Sequence, residues 1–235
     1  MGGSVVLVIS PHPDDDVVGC GGTLSRAASQ GCDVRVLYVT DGSASHIRSK
    51  RFPPATVARI REREAANALR AIGITRPPLY LRAPDGALAA LPKLETTRLV
   101  TTIASAVRDI RPAVVFSPWC RDPHVDHAAT ARLVARALRL VACAPPVLMY
   151  AVWLGILGTD GYLPEERRIA AVQMNLSVDE VALKRKAILE HVSQTTRLID
   201  DDPDGFLIGP ELLARWLLPY ERFYYERGRR AGSVS

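Results

Sequence analysis

The stretch VVLVISPHPDDDVVGCGG, residues 5–22, decides the fold of this chain. Its first five residues are apolar and mostly β-branched, which is typical of a buried strand. The strand run stops before a proline, and His12 and the three acids at 14–16 follow before a glycine-rich turn. Because like charges repel, three adjacent carboxylates beside a strand end indicate that a cation compensates them.

The rest of the chain repeats this alternation of short apolar runs with helical patterns. Strands that alternate with helices predict right-handed crossovers and a parallel sheet. The expected fold class is α/β, a three-layer, Rossmann-like, mainly parallel sheet with helices on both faces. The predicted strands cover residues 5–9, 33–40, 78–81, 113–118, 147–153 and 168–176, and the predicted helices cover residues 23–31, 56–72, 94–109, 127–142 and 178–192.

Length and composition are typical of one soluble globular domain, with 235 residues, 48% of them apolar and 23% charged. We expect a single domain over residues 1–228 and a flexible basic tail over residues 229–235. The formal charge of +5 does not indicate a nucleic-acid partner, because the basic residues are scattered and their densest cluster lies at the C-terminal end.

Other features bear on the compartment. The four cysteines are widely spaced without a CxxC pair, which disfavours a disulfide scaffold or a thiolate zinc site and favours a reducing cytoplasm. No signal peptide precedes the first strand run. Residues 140–158 are uncharged, but Pro145 and Pro146 interrupt them, so a helix end, a turn and a buried strand are favoured over membrane insertion. The oligomeric state stays open, and a homo-oligomer is one candidate.

A second cluster of ligand-type residues follows the predicted strand at 113–118. The segment PWCRDPHVDHAAT places four of them at that strand end, namely Asp122, His124, Asp126 and His127. In a doubly wound sheet, ligands bind beyond the carboxyl ends of strands, and two such ends can be adjacent. Imidazole and carboxylate bind divalent transition metals, so the two clusters together predict a metal site. Helix capping by the acids explains neither His12 nor the second cluster.

The motifs PHPDDD, GCGGTL and PHVDH, in this order, resemble those of the LmbE-like (PIG-L) zinc-dependent N-deacetylases. The likeness covers much of the chain. VRVLYVTDGS resembles the family's second strand, REREAANALRAIG its R-x-x-E helix, LYLRAPDGAL its third strand and Asp-containing turn, and KRKAILEHVSQ its late helix. The family usually has glutamate where this chain has Asp16, which keeps the charge but shortens its reach by one methylene.

The resemblance implies a metal site and an activity. His12, Asp15 and His127 match the family's metal ligands, with zinc as the expected ion and ferrous iron as an alternative. The implied reaction is hydrolytic removal of an N-acetyl or other N-acyl group from an amino sugar or glycoconjugate. Two other interpretations stay open: a non-heme iron(II) enzyme that uses the same two histidines and carboxylate, and a non-catalytic sugar- or nucleotide-binding module.

The resemblance also implies the groups that move protons. Asp14 matches the general base, and His124 matches the histidine that stabilises the oxyanion or protonates the departing amine. Asp126 matches the residue that orients His124, and Arg61 matches an arginine that helps hold the sugar. Amide hydrolysis needs a base and a proton donor beside a Lewis acid, so the residue chemistry agrees with these roles.

Weaker candidates lie near these motifs. His46 lies in the long loop DGSASHIRSKRFPP, and loops of this kind often cover active sites, so substrate contact is weighed against solvent exposure. Trp119 and Arg121 flank the second cluster and are candidates to line a substrate pocket, with packing as the alternative for the tryptophan. His191 is interpreted as a capping or packing residue, and the DDDPDG stretch at 200–205 as a solvated turn.

Overall fold

The computed structural model of the protein describes residues 3–154, 156 and 169–227, so the tail predicted at 229–235 lies outside the described residues. The strands are β1 (Val5–Ser10), β2 (Asp33–Thr40), β3 (Leu79–Ala83), β4 (Val114–Pro118), β5 (Val147–Tyr150), β6 (Ile169–Asn175) and β7 (Tyr220–Glu226). The α-helices are α1 (Asp15–Ser29), α2 (Pro54–Ala71), α3 (Lys93–Ile110), α4 (Val125–Leu138), α5 (Val178–Leu189), α6 (Val192–Thr195) and α7 (Pro210–Trp216).

The described strands form one sheet in the order β3-β2-β1-β4-β5-β7-β6. The first five in this order run parallel, and β7 runs antiparallel to both β5 and β6. The predicted α/β fold with a mainly parallel sheet is confirmed. Strand β7 was not predicted, because the charged residues Glu221 and Arg222 interrupt its apolar pattern. The helix predicted over 178–192 is divided into α5 and α6.

Side chains alternate between the two faces of the sheet and build an apolar layer on each. Val6 and Val8 of β1 belong to the layer packed against α1, α2 and α5. Leu7 and Ile9 of the same strand belong to the layer packed against α3 and α4. Burial of each such side chain contributes about 1.5–3 kcal/mol. The two layers give the three-layer arrangement expected for strands that are buried on both faces.

Strand β1 lies at the point where the chain changes direction across the sheet. It pairs with β2 on one side and with β4 on the other, with Val8 opposite Phe116. The carboxyl ends of β1 and β4 are therefore neighbours, and the loops that follow them diverge. A crevice at such a point is where doubly wound sheets bind ligands.

Helix α1 is kinked and is tied to β7 by a buried acid. The backbone of Cys20, with φ −147° and ψ 17°, leaves the helical region. The amides of Gly22 and Thr23, which follow the kink, donate to the Glu221 carboxylate at 2.9 and 2.8 Å. Lys184 of α5 donates to the same carboxylate at 2.8 Å, and both charged side chains are buried. The Glu221 carboxylate thus connects β7 to α5 through an ion pair and to α1 through two backbone amides.

Replacing Glu221 with glutamine is expected to lower the free energy of unfolding by about 3–5 kcal/mol, because Lys184 then keeps a buried charge without a counter-ion. Urea unfolding of the wild type and Glu221→Gln measures the loss. Glu62→Gln is the control, since it removes a carboxylate from a more exposed pair with Arg82 and is expected to cost at most about 1 kcal/mol. Equal losses of unfolding free energy in the two variants would contradict a larger contribution from the buried pair.

The glycines of the GCGG stretch permit close packing of α1 against its neighbours. A methyl group on Gly19 would overlap the ring of Tyr150, and one on Gly22 would overlap Leu176. Along residues 3–154, 156 and 169–227, we find no helix with the length and apolar character that crossing a membrane requires. The strand predicted within 140–158 is present as β5, whereas α4 ends at Leu138, before this segment begins.

Candidate metal centre

The loop after β1 and the first turn of α4 bring the three predicted ligands together. Asp15 Oδ2 lies 2.9 Å from His12 Nδ1 and 3.2 Å from His127 Nε2. The His12 amide also donates to Asp15 Oδ2 at 3.0 Å, which fixes the loop around this carboxylate. All three side chains are buried. These contacts place the three predicted ligands side by side, although Asp15 belongs to neither of the two groups of potential ligand atoms that the described residues form.

His124 belongs to the same cluster. Ring nitrogens of His12, His124 and His127 lie within 4.8 Å of one another, and His12 forms a second such group with Asp85 and Asp126. The rings of His12 and His124 meet edge to face with centroids 4.9 Å apart. Because both groups contain His12, they form one centre with several candidate ligands.

The ring of His127 has the features of a metal ligand. Its nitrogens lie 3.2 Å from Asp15 and 3.4 Å from Asp122, yet neither contact has hydrogen-bond geometry, and both nitrogens lack a hydrogen bond to any described residue. A fully buried imidazole left in this state is costly. A divalent ion bound at Nε2 would satisfy the ring, and Asp122 behind Nδ1 would orient it.

Asp122 connects the second cluster to the segment after β5. Its Oδ2 atom accepts the amides of Val152 and Trp153 at 2.9 and 3.1 Å, and its Oδ1 atom accepts the amide of His124 at 3.1 Å. Asp122 belongs to the second predicted cluster, but its sequence position indicates no role. Its bonds fix the loop that carries His124 and leads into α4, where His127 lies.

Asp126 orients His124 through its backbone. The Asp126 amide donates to His124 Nδ1 at 3.3 Å at the start of α4, so the neutral ring carries its proton on Nε2. The Asp126 carboxylate instead accepts the amides of Gly86 and Leu88 at 2.7 and 3.1 Å and lies 3.4 Å from His12 Nε2. The carboxylate therefore faces His12, while the backbone fixes His124.

Asp14 lies beside Asp15 and pairs with Arg61. Arg61 Nη2 donates to Asp14 Oδ2 at 2.8 Å, and Nη1 donates to the Gly42 carbonyl at 2.9 Å. Both charged side chains are buried. Asp14 makes no side-chain capping bond to α1, so helix capping does not account for its carboxylate. Burial raises the pKa of Asp14, and the Arg61 charge opposes this rise.

The cluster holds more buried negative charge than permanent positive charge. Within the described residues, the guanidinium of Arg61 and the imidazoles of His12 and His127 contact five carboxylates, those of Asp14, Asp15, Asp85, Asp122 and Asp126. Burial acts to lower the pKa of His127, but Asp15 and Asp122 outweigh it and raise this pKa to about 9. Burial likewise acts to raise the pKa of Asp15, but His127 and His12 hold it well below its ordinary value. This charge and these nitrogen and oxygen donors fit a divalent transition metal.

Asp85 was not among the predicted site residues. It follows β3, with Oδ1 3.1 Å from His12 Nε2 and Oδ2 accepting the Ala44 amide at 2.9 Å. Although burial acts to raise its pKa, the contact with His12 holds the pKa of Asp85 well below its ordinary value. Strand β3 runs parallel to β2 and β1, so the strand-end argument that identified the other clusters could also have found this residue.

The weaker substrate candidates have other surroundings. Trp119 is fully buried and its ring centroid lies 4.4 Å from that of Tyr224, which favours packing, and its contact with a substrate stays a prediction. His46 is only 3% exposed and packs against Gly205, so solvent exposure is wrong and little of its ring is open to substrate. Arg121 is half-buried in the turn after β4, and its substrate contact stays a prediction.

The long loop after β2 is fastened to the acidic stretch at 200–205. Asp201 accepts the Ser49 hydroxyl at 2.7 Å and the Arg51 amide at 3.0 Å, and Asp202 accepts the Arg48 amide at 2.8 Å. The stretch contains a turn with residues 200, 203 and 204 exposed, as predicted, and in addition Asp201 and Asp202 bind the backbone of the loop. The loop that carries His46 is held in place by this contact.

Asp16, where the family usually has glutamate, is fully buried. Burial raises its pKa to about 7, and the neighbouring Tyr38 hydroxyl opposes the rise. Complete burial at the start of α1 favours support of the loop over contact with a substrate.

His191 gives a test of acid stability. Its ring is fully buried and has no hydrogen bond to any described residue. Burial lowers its pKa to about 3; the Arg61 charge adds to this effect, and the Asp15 charge opposes it. Below pH 6.5 His191 is protonated in the unfolded chain but stays neutral in the folded chain. This difference lowers the free energy of unfolding by about 1.4 kcal/mol per pH unit as the pH drops from about 6.5 towards 3. Urea midpoints of His191→Gln between pH 7 and 4 are expected to show a shallower decline than those of the wild type. Parallel curves would contradict this expectation.

Comparison with known proteins gives a family and a group of relatives. Residues 7–138 match the family model PIG-L, described as GlcNAc-PI de-N-acetylase. The chain is similar to the 1D-myo-inositol 2-acetamido-2-deoxy-alpha-D-glucopyranoside deacetylase of Kineococcus radiotolerans, with 29% identity over 164 residues that cover 58% of this chain and 45% of that protein. It spans about half the length of the curated relatives it matches.

Solved structures share the fold. The zinc-inhibited form of teicoplanin deacetylase matches with a TM-score of 0.71 and 19% identity, over 96% of this chain and 100% of that one. The 4-carboxy-2-hydroxymuconate hydratase of Pseudomonas putida KT2440 matches with a TM-score of 0.67 and 19% identity, over 100% of both chains. These likenesses show the fold alone, and one fold can support different reactions. The family model, in contrast, covers more than half of the sequence and includes both histidine motifs. The chain therefore belongs to the PIG-L family.

Proposed function

We propose that this protein is a zinc-dependent N-deacetylase that hydrolyses the N-acetyl group of an amino sugar or glycoconjugate. The observation that carries the proposal is the buried Asp14 carboxylate, held by Arg61 at 2.8 Å beside the His12–Asp15–His127 cluster. Membership of the PIG-L family supports the same reaction class. Because the chain spans about half of its curated relatives, the activity of the whole protein is part of the proposal.

His12, Asp15 and His127 are the residues that would hold the ion. Two imidazoles and one carboxylate are a ligand set of catalytic zinc sites, which keep a position open for water or substrate. When bound, the ion polarises the acyl carbonyl and lowers the pKa of water. Iron(II) accepts the same kind of ligand set, so measured metal content distinguishes the two ions.

Asp14 is proposed as the general base. One of its carboxylate oxygens stays paired with Arg61, and the other accepts a proton from the attacking water. The Arg61 charge favours the ionised carboxylate against the effect of burial. The side chain of Arg61 is only 4% exposed, and both of its Nη atoms are engaged with Asp14 and Gly42. We therefore assign Arg61 to orienting the base, although the resemblance implied contact with the sugar.

His124 is proposed to act on the acyl oxygen and on the leaving nitrogen. Burial, reinforced by His12 and His127, lowers the pKa of His124, so its ring is neutral near pH 7. Because Nδ1 accepts the Asp126 amide, the proton on Nε2 faces away from α4 and can be donated to the developing oxyanion. The departing amine needs one proton, and the proton that Asp14 takes from water supplies it, passed on through the His124 ring, so that Asp14 ends ionised and His124 ends neutral.

The substrate class follows from the names of the relatives. The Kineococcus relative is named for an acetamido-deoxy-glucopyranoside, and a structural neighbour is a teicoplanin deacetylase. Both names describe removal of an acetyl group. An N-acetylated amino sugar, free or attached to a larger molecule, is therefore the proposed substrate.

The test is acetate release by the purified protein, with bound metal identified by elemental analysis. The substrates are N-acetylglucosamine, diacetylchitobiose and an inositol-linked N-acetylglucosamine, with an N-acetyl amino acid as the control. Equal amounts of acetate and free amine from at least one sugar support the proposal. Sugar binding without acetate would support the non-catalytic alternative, and hydration of 4-carboxy-2-hydroxymuconate without deacetylation would overturn the reaction class.

A further inference from the structure

Glu64 is a buried charge that the mechanism above does not use. It lies on α2 three residues after Arg61, so the two side chains lie on the same face of the helix, and both are buried. Its carboxylate accepts the amide and the hydroxyl of Ser193, each at 2.7 Å. The partners are 129 residues apart in sequence, so the contact fixes α2 to a distant part of the fold.

The Ser193 end of this contact belongs to a larger polar network. Gln194 Nε2 donates to the Ser193 hydroxyl at 2.9 Å and to the Ser45 hydroxyl at 3.3 Å. The Ser45 carbonyl accepts the Phe206 amide at 2.8 Å, and the Gln194 carbonyl accepts the Ile208 amide at 2.6 Å. Helix α6, the loop after β2 and the segment at 206–208 are thereby joined into one support for α2.

At the other end, Arg61 enters a tight slot in the loop after β2. Gly42 has φ +67°, and a Cβ atom there would lie 2.8 Å from Arg61 Nη1. The guanidinium therefore reaches Asp14 only if the distance between α2 and this loop stays unchanged. A displacement of about 1 Å far from the reacting atoms can lower a rate by about 100-fold.

We propose that Glu64 is a positioning residue: by binding Ser193 it holds α2 where Arg61 keeps Asp14 oriented as the base. The inference rests on the proposed function. Among the described residues, the hydrogen bonds of the Glu64 carboxylate go to Ser193, so its proposed effect on the reaction is exerted through the position of α2, which carries Arg61.

The experiment compares Glu64→Gln with Glu221→Gln in steady-state acetate release. Both acids are buried and accept two or more hydrogen bonds, but Glu221 lies in the α1–α5–β7 cluster. Glu64→Gln is expected to lower kcat by about 10–100-fold with KM within about twofold, because the orientation of the base changes while the substrate contacts remain. Glu221→Gln is expected to lose more stability yet keep kcat within about twofold of the wild type. A loss of kcat in both variants in proportion to stability would overturn the inference.

A double-mutant cycle tests whether the effect passes through Arg61. In an Arg61→Ala background, Glu64→Gln is expected to cause no further loss of kcat, because the group that it positions is already absent. Additive losses of kcat would overturn the inference. If the wild type is active, an unchanged kcat in Glu64→Gln would also overturn it.

A structural measurement separates this inference from the proposed reaction. Crystal structures are expected to show the Arg61–Asp14 contact of 2.8 Å lengthened or broken in Glu64→Gln and intact in Glu221→Gln. This result does not depend on which substrate is turned over. An unchanged contact in Glu64→Gln refutes the positioning role, whereas a wild type that releases no acetate refutes the proposed function.

Discussion

Asp14→Ala is expected to keep one metal ion per chain and to lower kcat for acetate release by about 10²–10⁴-fold, the usual contribution of a general base. The ion stays because the contacts among His12, Asp15 and His127 do not involve Asp14. Turnover falls because, among the residues that the structure describes, Asp14 is the one carboxylate paired with Arg61. Elemental analysis and steady-state kinetics on the same preparation measure both quantities.

Two further variants make the test of the base specific. Asp14→Asn keeps the shape of the side chain but cannot accept a proton, so its kcat is expected to fall as far as that of Asp14→Ala. Asp33→Asn, at the start of β2 and therefore at the opposite edge of the sheet, is expected to leave kcat unchanged. Near-normal turnover by Asp14→Asn would remove this residue from the mechanism.

His127→Ala is expected to lose the bound metal on dialysis, with a large fall in affinity. His127 is the one imidazole contributed by α4 to the three predicted ligands, and its deletion leaves His12 and Asp15 to hold the ion. The fall is expected to exceed the 10–100-fold typical of residues that only orient a ligand. Competition with a chelator measures the affinity.

Asp122→Ala and His191→Gln are the controls for this prediction. Asp122 lies 3.4 Å from His127 Nδ1, so its removal is expected to weaken metal binding by about 10–100-fold. His191 is equally buried but lies outside the histidine cluster, so its replacement is expected to leave the affinity unchanged. Full metal affinity in His127→Ala would assign the site to the overlapping group of His12, Asp85 and Asp126.

The part of the site that sequence could predict depends on short-range patterns. Each histidine motif follows its strand directly, and parallel strands place their carboxyl ends at one edge, so the meeting of His12 with His127 follows from the fold class. The same rule applies to Asp85. A single acid after a short strand, without a histidine beside it, was not enough to predict Asp85 as a site residue.

Contacts between distant segments could not be predicted. The Glu64–Ser193 contact depends on how α2 and α6 pack, which no local pattern encodes. The position of Trp119 depends on whether the residue after β4 turns into the core or towards the crevice. Its apolar ring is compatible with either position, and the structure buries it in the core. Strand β7 was missed for a related reason: its place between β5 and β6 is decided by its partners rather than by its own residues.

The interior place of β7 also bears on how the chain is made. Among the described strands, β6 pairs only with β7, and β5 has β7 as its outer neighbour. During synthesis from the N-terminus, at about 5–20 residues per second, β5 and β6 leave the ribosome several seconds before residues 220–226 follow. Until then both strands have an unpaired edge, and nascent-chain protease sensitivity should persist until this late segment emerges.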